Sequence, residues 1–452
     1  MKPGTILITL VLIALELPCL SQQPASIDEL SKFEIPETDE GLPGDGPIRR
    51  YDWFRDLWKS KRSTWASRID EDRNALVFLG NSITQGWGDD FRGAFSGAKL
   101  ANRGISGDTT RGMLIRLQED VLSLNPTGIV MLMGTNDLEE KASPETISSN
   151  LELIIHELKN HDSEMPIVLC LVFPSSETKN RPADRIRRIN ELYSQAVKGD
   201  LQVIVLDTWT LFANEKGDAK IEEFPDLLHP NEAGYMKWAA ALNPVLETLG
   251  FLTVEVDNFR PEPGFEQLFN GTDLTGWGFR PTSDEDIDSR NRWLASDPNA
   301  AVWPIITETT VFDGEATTDD GRFLARNNRI VVTIPAEGRR IQQLWTNREF
   351  GSDFVLRLEF RATPNADSGI FIRGKQLQCR DYLLAGPYTS LKKYKPLDWN
   401  EIEIRVEGTS AHCTCNGEVL EESLSVPEIG PIGLEGDRGQ VEYRRIRIQL
   451  TR

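Results

Sequence analysis

Between residues 48 and about 250, short and nearly continuous apolar runs alternate with amphipathic stretches. The runs fall at 75–79, 99–102, 129–133, 167–173 and 203–206, and unbroken apolarity over so few residues fits strands covered on both faces. Helical periodicity fills 109–123, 144–160, 183–198 and 231–247, the second stretch opened by Ser143 as N-cap and Pro144 in the first turn. This alternation predicts an α/β domain with a doubly wound parallel sheet over 48–255. The punctuation DNFRPEPG then marks a linker at 256–263, and beyond it the period drops to two. FVLRLEFRA sets Leu356, Leu358 and Phe360 against Arg357, Glu359 and Arg361, and EIEIRVEG repeats the pattern with Ile402, Ile404 and Val406. Asn416-Gly417 carries a tight-hairpin signal. Residues 264–452 are therefore expected to form an all-β sandwich, with 281–299 as a polar, irregular surface insertion.

Length and charge narrow the picture. The 452 residues predict two or three domains. With 50 Lys+Arg against 70 Asp+Glu the net charge is −20, which argues against nucleic acid as the main partner. Lys2 followed by an apolar run at 6–15 and by Pro18, Cys19, Leu20 and Ser21 reads as a signal peptide over 1–21. A secreted or periplasmic protein is the expectation, with 22–47 as an exposed linker. No later segment approaches the roughly 18 uninterrupted apolar residues of a membrane span. Cys170 lies in the apolar run PIVLCLVF and reads as a core thiol; Cys413 and Cys415 share a strand face, so either could meet Cys379 in one disulfide. His412 alternates away from both thiols, which disfavours a metal site.

Chemistry concentrates at the carboxyl ends of the predicted parallel strands. ALVFL runs into Gly80-Asn81-Ser82-Ile83-Thr84, and a serine at such a strand-to-helix junction presents its hydroxyl where doubly wound folds place their sites. Ser82 is thus a candidate nucleophile, with a helix N-cap serine as the plainer reading of the string by itself. Of the four histidines, His156 lies in the helical stretch LELIIHELKN, His161 just after it and His412 in the β domain, which leaves His229; it shares the loop DLLHP with Asp226, which could accept from Nδ1 and leave Nε2 to take the serine proton. Capping of the following helix is the competing role for this pair. The loops NRGISGDTT and GTND follow the second and third strands, and they offer glycine N–H groups and the Asn136 amide, the donor types of an oxyanion hole.

Taken together, GNSIT, NRGISGDTT, GTND and DLLHP resemble in order and spacing the four signature blocks of the SGNH hydrolase superfamily, the GDSL-like lipase/acylhydrolases. That resemblance implies a flavodoxin-like three-layer α/β fold, Ser82 as nucleophile, His229 as base and Asp226 as its orienter. It also implies an oxyanion hole from the N–H groups of Ser82 and Gly107 and the side chain of Asn136. Asn81 replaces the commoner aspartate of the first block. FLGNSITQGW and NRGISGDTT look most like the branch containing platelet-activating-factor acetylhydrolase subunits and carbohydrate acetylesterases, which implies short acyl groups, acetyl above all. Trp87 is a candidate floor for a sugar subsite or, equally, a ring packed on the sheet edge.

GFEQLFNGTDLTGW, ADSGIFIRG, DWNEIEIRVEG and GPIGLEGDRGQVEYRRIRIQ resemble the 3-keto-disaccharide hydrolase domain, a concanavalin-like jelly roll whose family acts on or binds glycans. Here QLQCRDY replaces a more acidic stretch, and GLEGDRG lacks a histidine often found in that loop. Asp367, Arg373, Asp381, Glu435 and Asp437 are expected to be mostly solvated surface charge. The resulting expectation is a secreted serine esterase acting on acetylated carbohydrate. Its Ser-His-Asp route requires no metal or organic cofactor, and the C-terminal domain would bind or cleave glycan. The rivals are a lysophospholipase or platelet-activating-factor-type acetylhydrolase, a non-enzymatic glycan-binding protein, and a glycoside-cleaving enzyme working through the β domain.

Overall fold

The computed structural model describes residues 32–380 and 387–451. The signal-peptide expectation and Asp381 lie outside the described residues. Five strands, β1 (Leu76–Gly80), β2 (Leu100–Gly104), β3 (Gly128–Leu132), β4 (Ile167–Cys170) and β5 (Val203–Leu206), form one parallel sheet in the order β2-β1-β3-β4-β5. β1 and β3 are buried at every position, as their apolar runs require. The strand order reverses direction at β1, so the crevice of a doubly wound sheet opens between the carboxyl ends of β1 and β3.

Helices cover both faces. One layer holds α1 (Pro144–His161) and α2 (Ala183–Ala196), whose Ile147, Leu151, Ile154, Ile186 and Ile189 join the core on that side. The other face is closed by α3 (Glu232–Leu249), which brings Tyr235, Trp238, Leu242 and Leu246 against β1, β3 and β4. Trp87 belongs to this second core. It is 1% exposed, with ring centroids 4.3 Å from Trp238 and 5.3 Å from Phe95. The sugar-floor expectation for Trp87 is therefore corrected: burial among rings satisfies a large aromatic better than exposure, and no face is left for a ligand.

The stretch before residue 48 is more than an exposed linker. Phe33 and Ile35 are buried and cluster with Ile48, Phe54, Trp58, Trp65 and Ile105. Asp39 ties this strap to Arg111 at 2.7 Å, and Thr109 Oγ1 donates to Pro47 O at 2.8 Å. Its Pro, Glu and Gly content concealed a few apolar anchors.

The described residues of 264–451 form two antiparallel sheets around one core. One sheet is built on the long strands Phe354–Ala362, Asn400–Glu407 and Val441–Leu450, the other on Gln342–Phe350, Asp367–Ile372 and Gly430–Gly436. Leu356, Leu358, Phe360, Ile402, Ile404 and Val406 all face inward, as the period-two pattern predicts. The expected irregular insertion is instead a helix, Asp284–Ser296, none of whose residues is buried. Ser283 caps it by accepting from Asp286 N at 3.1 Å, with three acidic residues in the first turn. Cys170, Cys379, Cys413 and Cys415 are buried and unpaired, so the disulfide left open by the sequence is not formed. Among the described residues no helix is long and apolar enough to cross a membrane.

The two domains share a polar interface. Glu247 on α3 accepts from Arg329 at 2.5 Å and Arg361 at 2.6 Å, while Gln440 Nε2 donates to Pro244 O at 2.9 Å.

Candidate active site

Ser82 opens a short helix, Ser82–Gly86, directly after β1. Asn81 is its N-cap, with Oδ1 accepting from Ile83 N at 3.0 Å, so capping leaves the Ser82 hydroxyl free. Tyr235 of α3 holds this helix from behind by donating to Ile83 O at 2.8 Å. The second loop crosses in front of it at very close range: a Cβ on Gly104 would stand 2.3 Å from Gln85 N, a backbone contact that only glycine permits.

Ser82 Oγ lies 3.0 Å from His229 Nε2, and His229 Nδ1 lies 2.8 Å from Asp226 Oδ2. Asp226 Oδ1 also accepts from the backbone N–H of His229 at 2.7 Å and of Leu228 at 3.0 Å. Partial burial works to raise the Asp226 carboxyl, but these hydrogen bonds and the imidazole outweigh it and hold it at about 2. An ionised Asp226 favours the tautomer with the proton on Nδ1, leaving Nε2 as the acceptor for the serine proton. The loop keeps its shape through Leu227, at φ 61, whose carbonyl accepts from Ser175 Oγ at 2.7 Å. Helix α3 begins only at Glu232, capped by Asn231. Neither Asp226 nor His229 is therefore used as its cap.

Gly107 adopts φ +90, a conformation that favours glycine, and Asn136 follows β3 in the short helix Thr135–Glu139. Asn136 Nδ2 donates to Asp108 O at 2.9 Å and Oδ1 accepts from Arg181 at 3.1 Å. Those two contacts fix which way the amide faces and leave one N–H uncommitted. Two buried aspartates brace the loops. Asp108 accepts from Arg116 at 2.8 Å, and Asp137 accepts from Thr110 Oγ1 at 2.6 Å, while burial pushes both carboxyls up to about 6.

Sequence reasoning missed Arg181 and Arg49. Arg181 is 2% exposed and also bonds Thr135 O at 3.0 Å and Glu139 at 2.7 Å, while Arg49 pairs with Glu139 and, at 2.8 Å, with Glu140. Neither belongs to a local motif; each arrives from a distant segment. In the β domain, Asp367, Glu435 and Asp437 are buried, not solvated. Burial and the neighbouring Asp437 and Asp367 raise the Glu435 carboxyl to about 8, and Gln376 donates to it. Arg373 is buried as well, donating to Gly408 O at 2.7 Å and Ser352 O at 2.8 Å, which is a structural use.

A parallel sheet with a serine, a histidine and a carboxylate in hydrogen-bonded series at its carboxyl edge defines the hydrolase class to which this half belongs. Residues 78–237 match the GDSL-like lipase/acylhydrolase family model, and residues 264–449 match that of the 3-keto-alpha-glucoside-1,2-lyase-like domain. The chain thus carries a GDSL-like acylhydrolase domain, acting on ester bonds, followed by a 3-keto-disaccharide hydrolase domain. It is 27% identical over 218 residues to platelet-activating factor acetylhydrolase IB subunit alpha2 of Bos taurus and of Homo sapiens, covering 48% of this chain and 90% of theirs. Similar solved structures include a GDSL-like lipase from Bacteroides thetaiotaomicron (23% identity, 42% of this chain and 98% of that one, TM-score 0.37). Another is a lipase/acylhydrolase from Enterococcus faecalis (23% identity, 38% and 95%, TM-score 0.31).

Proposed function

We propose that this protein removes short acyl groups, acetyl above all, from carbohydrate through an acyl-enzyme on Ser82. The observation that carries the proposal is the Ser82–His229–Asp226 series at 3.0 and 2.8 Å. Ser82 Oγ attacks the ester carbonyl carbon as its proton passes to His229 Nε2, and Asp226 stabilises the imidazolium. The oxyanion is received by the N–H groups of Ser82 and Gly107 and by the free N–H of Asn136. Collapse breaks the bond to the sugar oxygen, which leaves with the proton from His229. Water, deprotonated by the same nitrogen, then attacks the acyl-enzyme, releasing acetate and restoring Ser82.

The carbohydrate side of the proposal is supported by the second domain, whose family model concerns keto-glucosides. The leader-like run at 6–15 supports action outside the cytoplasm. The name of the mammalian relatives favours a second reading, acetyl removal from a choline lipid. Acetate release from acetylated mono- and oligosaccharides, set against an acetylated ether phosphocholine, separates the two. The proposal expects the sugars to be the better substrates by about tenfold or more in kcat/KM, and preference for the choline lipid would replace it.

A further inference from the structure

Most large aromatic side chains near the candidate site are buried, Trp87, Phe91, Phe95 and Trp238 among them. Tyr51 and Trp53 are not. They are 52% and 53% exposed, with ring planes within 11° of parallel and centroids 6.4 Å apart. Both stand at the start of the helix Asp52–Ser67, outside the residues that match the GDSL-like family model.

Their position relative to the chemistry follows from Gly107. A Cβ built there would lie 2.7 Å from Trp53 Cη2 and 3.1 Å from Arg49 Nη1, so the indole rests against the oxyanion loop itself. The pair is also held in place. Buried Phe54 packs edge-on to Trp53 at 5.6 Å and leans on Trp58, while Tyr51 Oη lies 3.4 Å from both carboxylate oxygens of Glu140. An exposed aromatic pair fixed from below and touching the reacting loop is a preorganised binding face.

Charge narrows what it fits. Glu140, beside Tyr51 Oη, and its neighbour Glu139 are both engaged by Arg49, and Glu139 also by Arg181. Two arginines balance these two glutamates and Asp52 is exposed between the two aromatic positions, so the rim carries no excess positive charge to hold an anion, and near-parallel aromatic faces suit a neutral ring. A pyranose has such a face, apolar in its C–H groups and rimmed by hydroxyls that Glu140 and Tyr51 Oη can meet.

We propose that Tyr51 and Trp53 form the leaving-group subsite, on which the pyranose ring of the ester lies while its acetyl carbonyl reaches Ser82. This rests on the esterase reading of the site. The test compares kcat/KM of the full chain on glucose pentaacetate, ethyl acetate and acetylcholine with that of Trp53→Ala, Trp53→Phe and Tyr51→Ala. Trp53→Ala is expected to lower the preference for glucose pentaacetate over ethyl acetate by about tenfold, chiefly through KM, with Trp53→Phe recovering most of it. Tyr51→Ala, at an exposed position before the helix, should move the ratio in the same direction, and it serves if Trp53→Ala does not fold. Equal losses on both esters would mean that Trp53 only supports the Gly107 loop. A larger loss on acetylcholine would make the pair a cation site, and a wild type that prefers ethyl acetate would leave no sugar subsite to explain. All three outcomes overturn the proposal while the esterase reading stands; a wild type inert on every ester removes that reading first.

Discussion

Asn136 illustrates how one side chain acquires a single role. Its carbonyl oxygen is claimed by Arg181 and one amide proton by Asp108 O, so one N–H is left uncommitted, and under the proposed function it would meet a developing oxyanion without reorganisation. Asn136→Ala is expected to lower kcat by about 10²–10³ with a small change in KM, read from initial rates on a chromogenic acetate. An equal loss carried by KM would assign Asn136 to ground-state binding instead. At this scale the approach of Ser82, His229 and Asp226 was legible because each sits in a short string whose spacing reflects local geometry. Arg181 was not, since its value comes from an approach to Asn136 across 45 positions. Trp87 was ambiguous for a related reason: an aromatic after the nucleophile loop can turn outward or inward, and only the rings of Phe78, Phe95 and Trp238 decide.

At the scale of elements, periodicity located the parallel strands and the sandwich strands because burial on two faces or on one leaves a distinct pattern. Two segments escaped it. The helix Asp284–Ser296 has no fully buried residue, so its apolar stripe is too sparse to betray it, and its clearest signal lies in Ser283 and the acidic first turn. The strap over 32–47 is anchored by Phe33 and Ile35 amid turn-forming residues. Sparse anchoring resembles a linker in sequence, yet the strap leads directly into Arg49, Tyr51 and Trp53, of which Arg49 and Trp53 lie against Gly107.

The whole molecule joins an acylhydrolase to a sugar-family β domain through α3, the helix that follows the His229 loop. Glu247, between Arg329 and Arg361, is partly desolvated, which would raise its carboxyl, but the two guanidiniums outweigh this and hold it below the ordinary range. Its contribution is therefore complete above the ordinary glutamate pKa and is lost as pH falls through the lowered value. Glu247→Ala is expected to cost about 1.5–3 kcal/mol and to separate the thermal unfolding of the two domains at neutral pH. A single unshifted transition would show that the interface does not depend on it. Domain order and fold class were readable from the change of period near residue 260, whereas the interface was not, because its partners are scattered through both halves of the chain.

The central claim is that Ser82 is a nucleophile activated by His229. Hydrolysis of a chromogenic acetate by the full chain, compared with Ser82→Ala and His229→Ala, tests it most directly. The account predicts turnover by the wild type and a loss of about a thousandfold or more in each variant, with the folded state unchanged by circular dichroism. Variants as active as the wild type would contradict it and place the reaction elsewhere in the molecule.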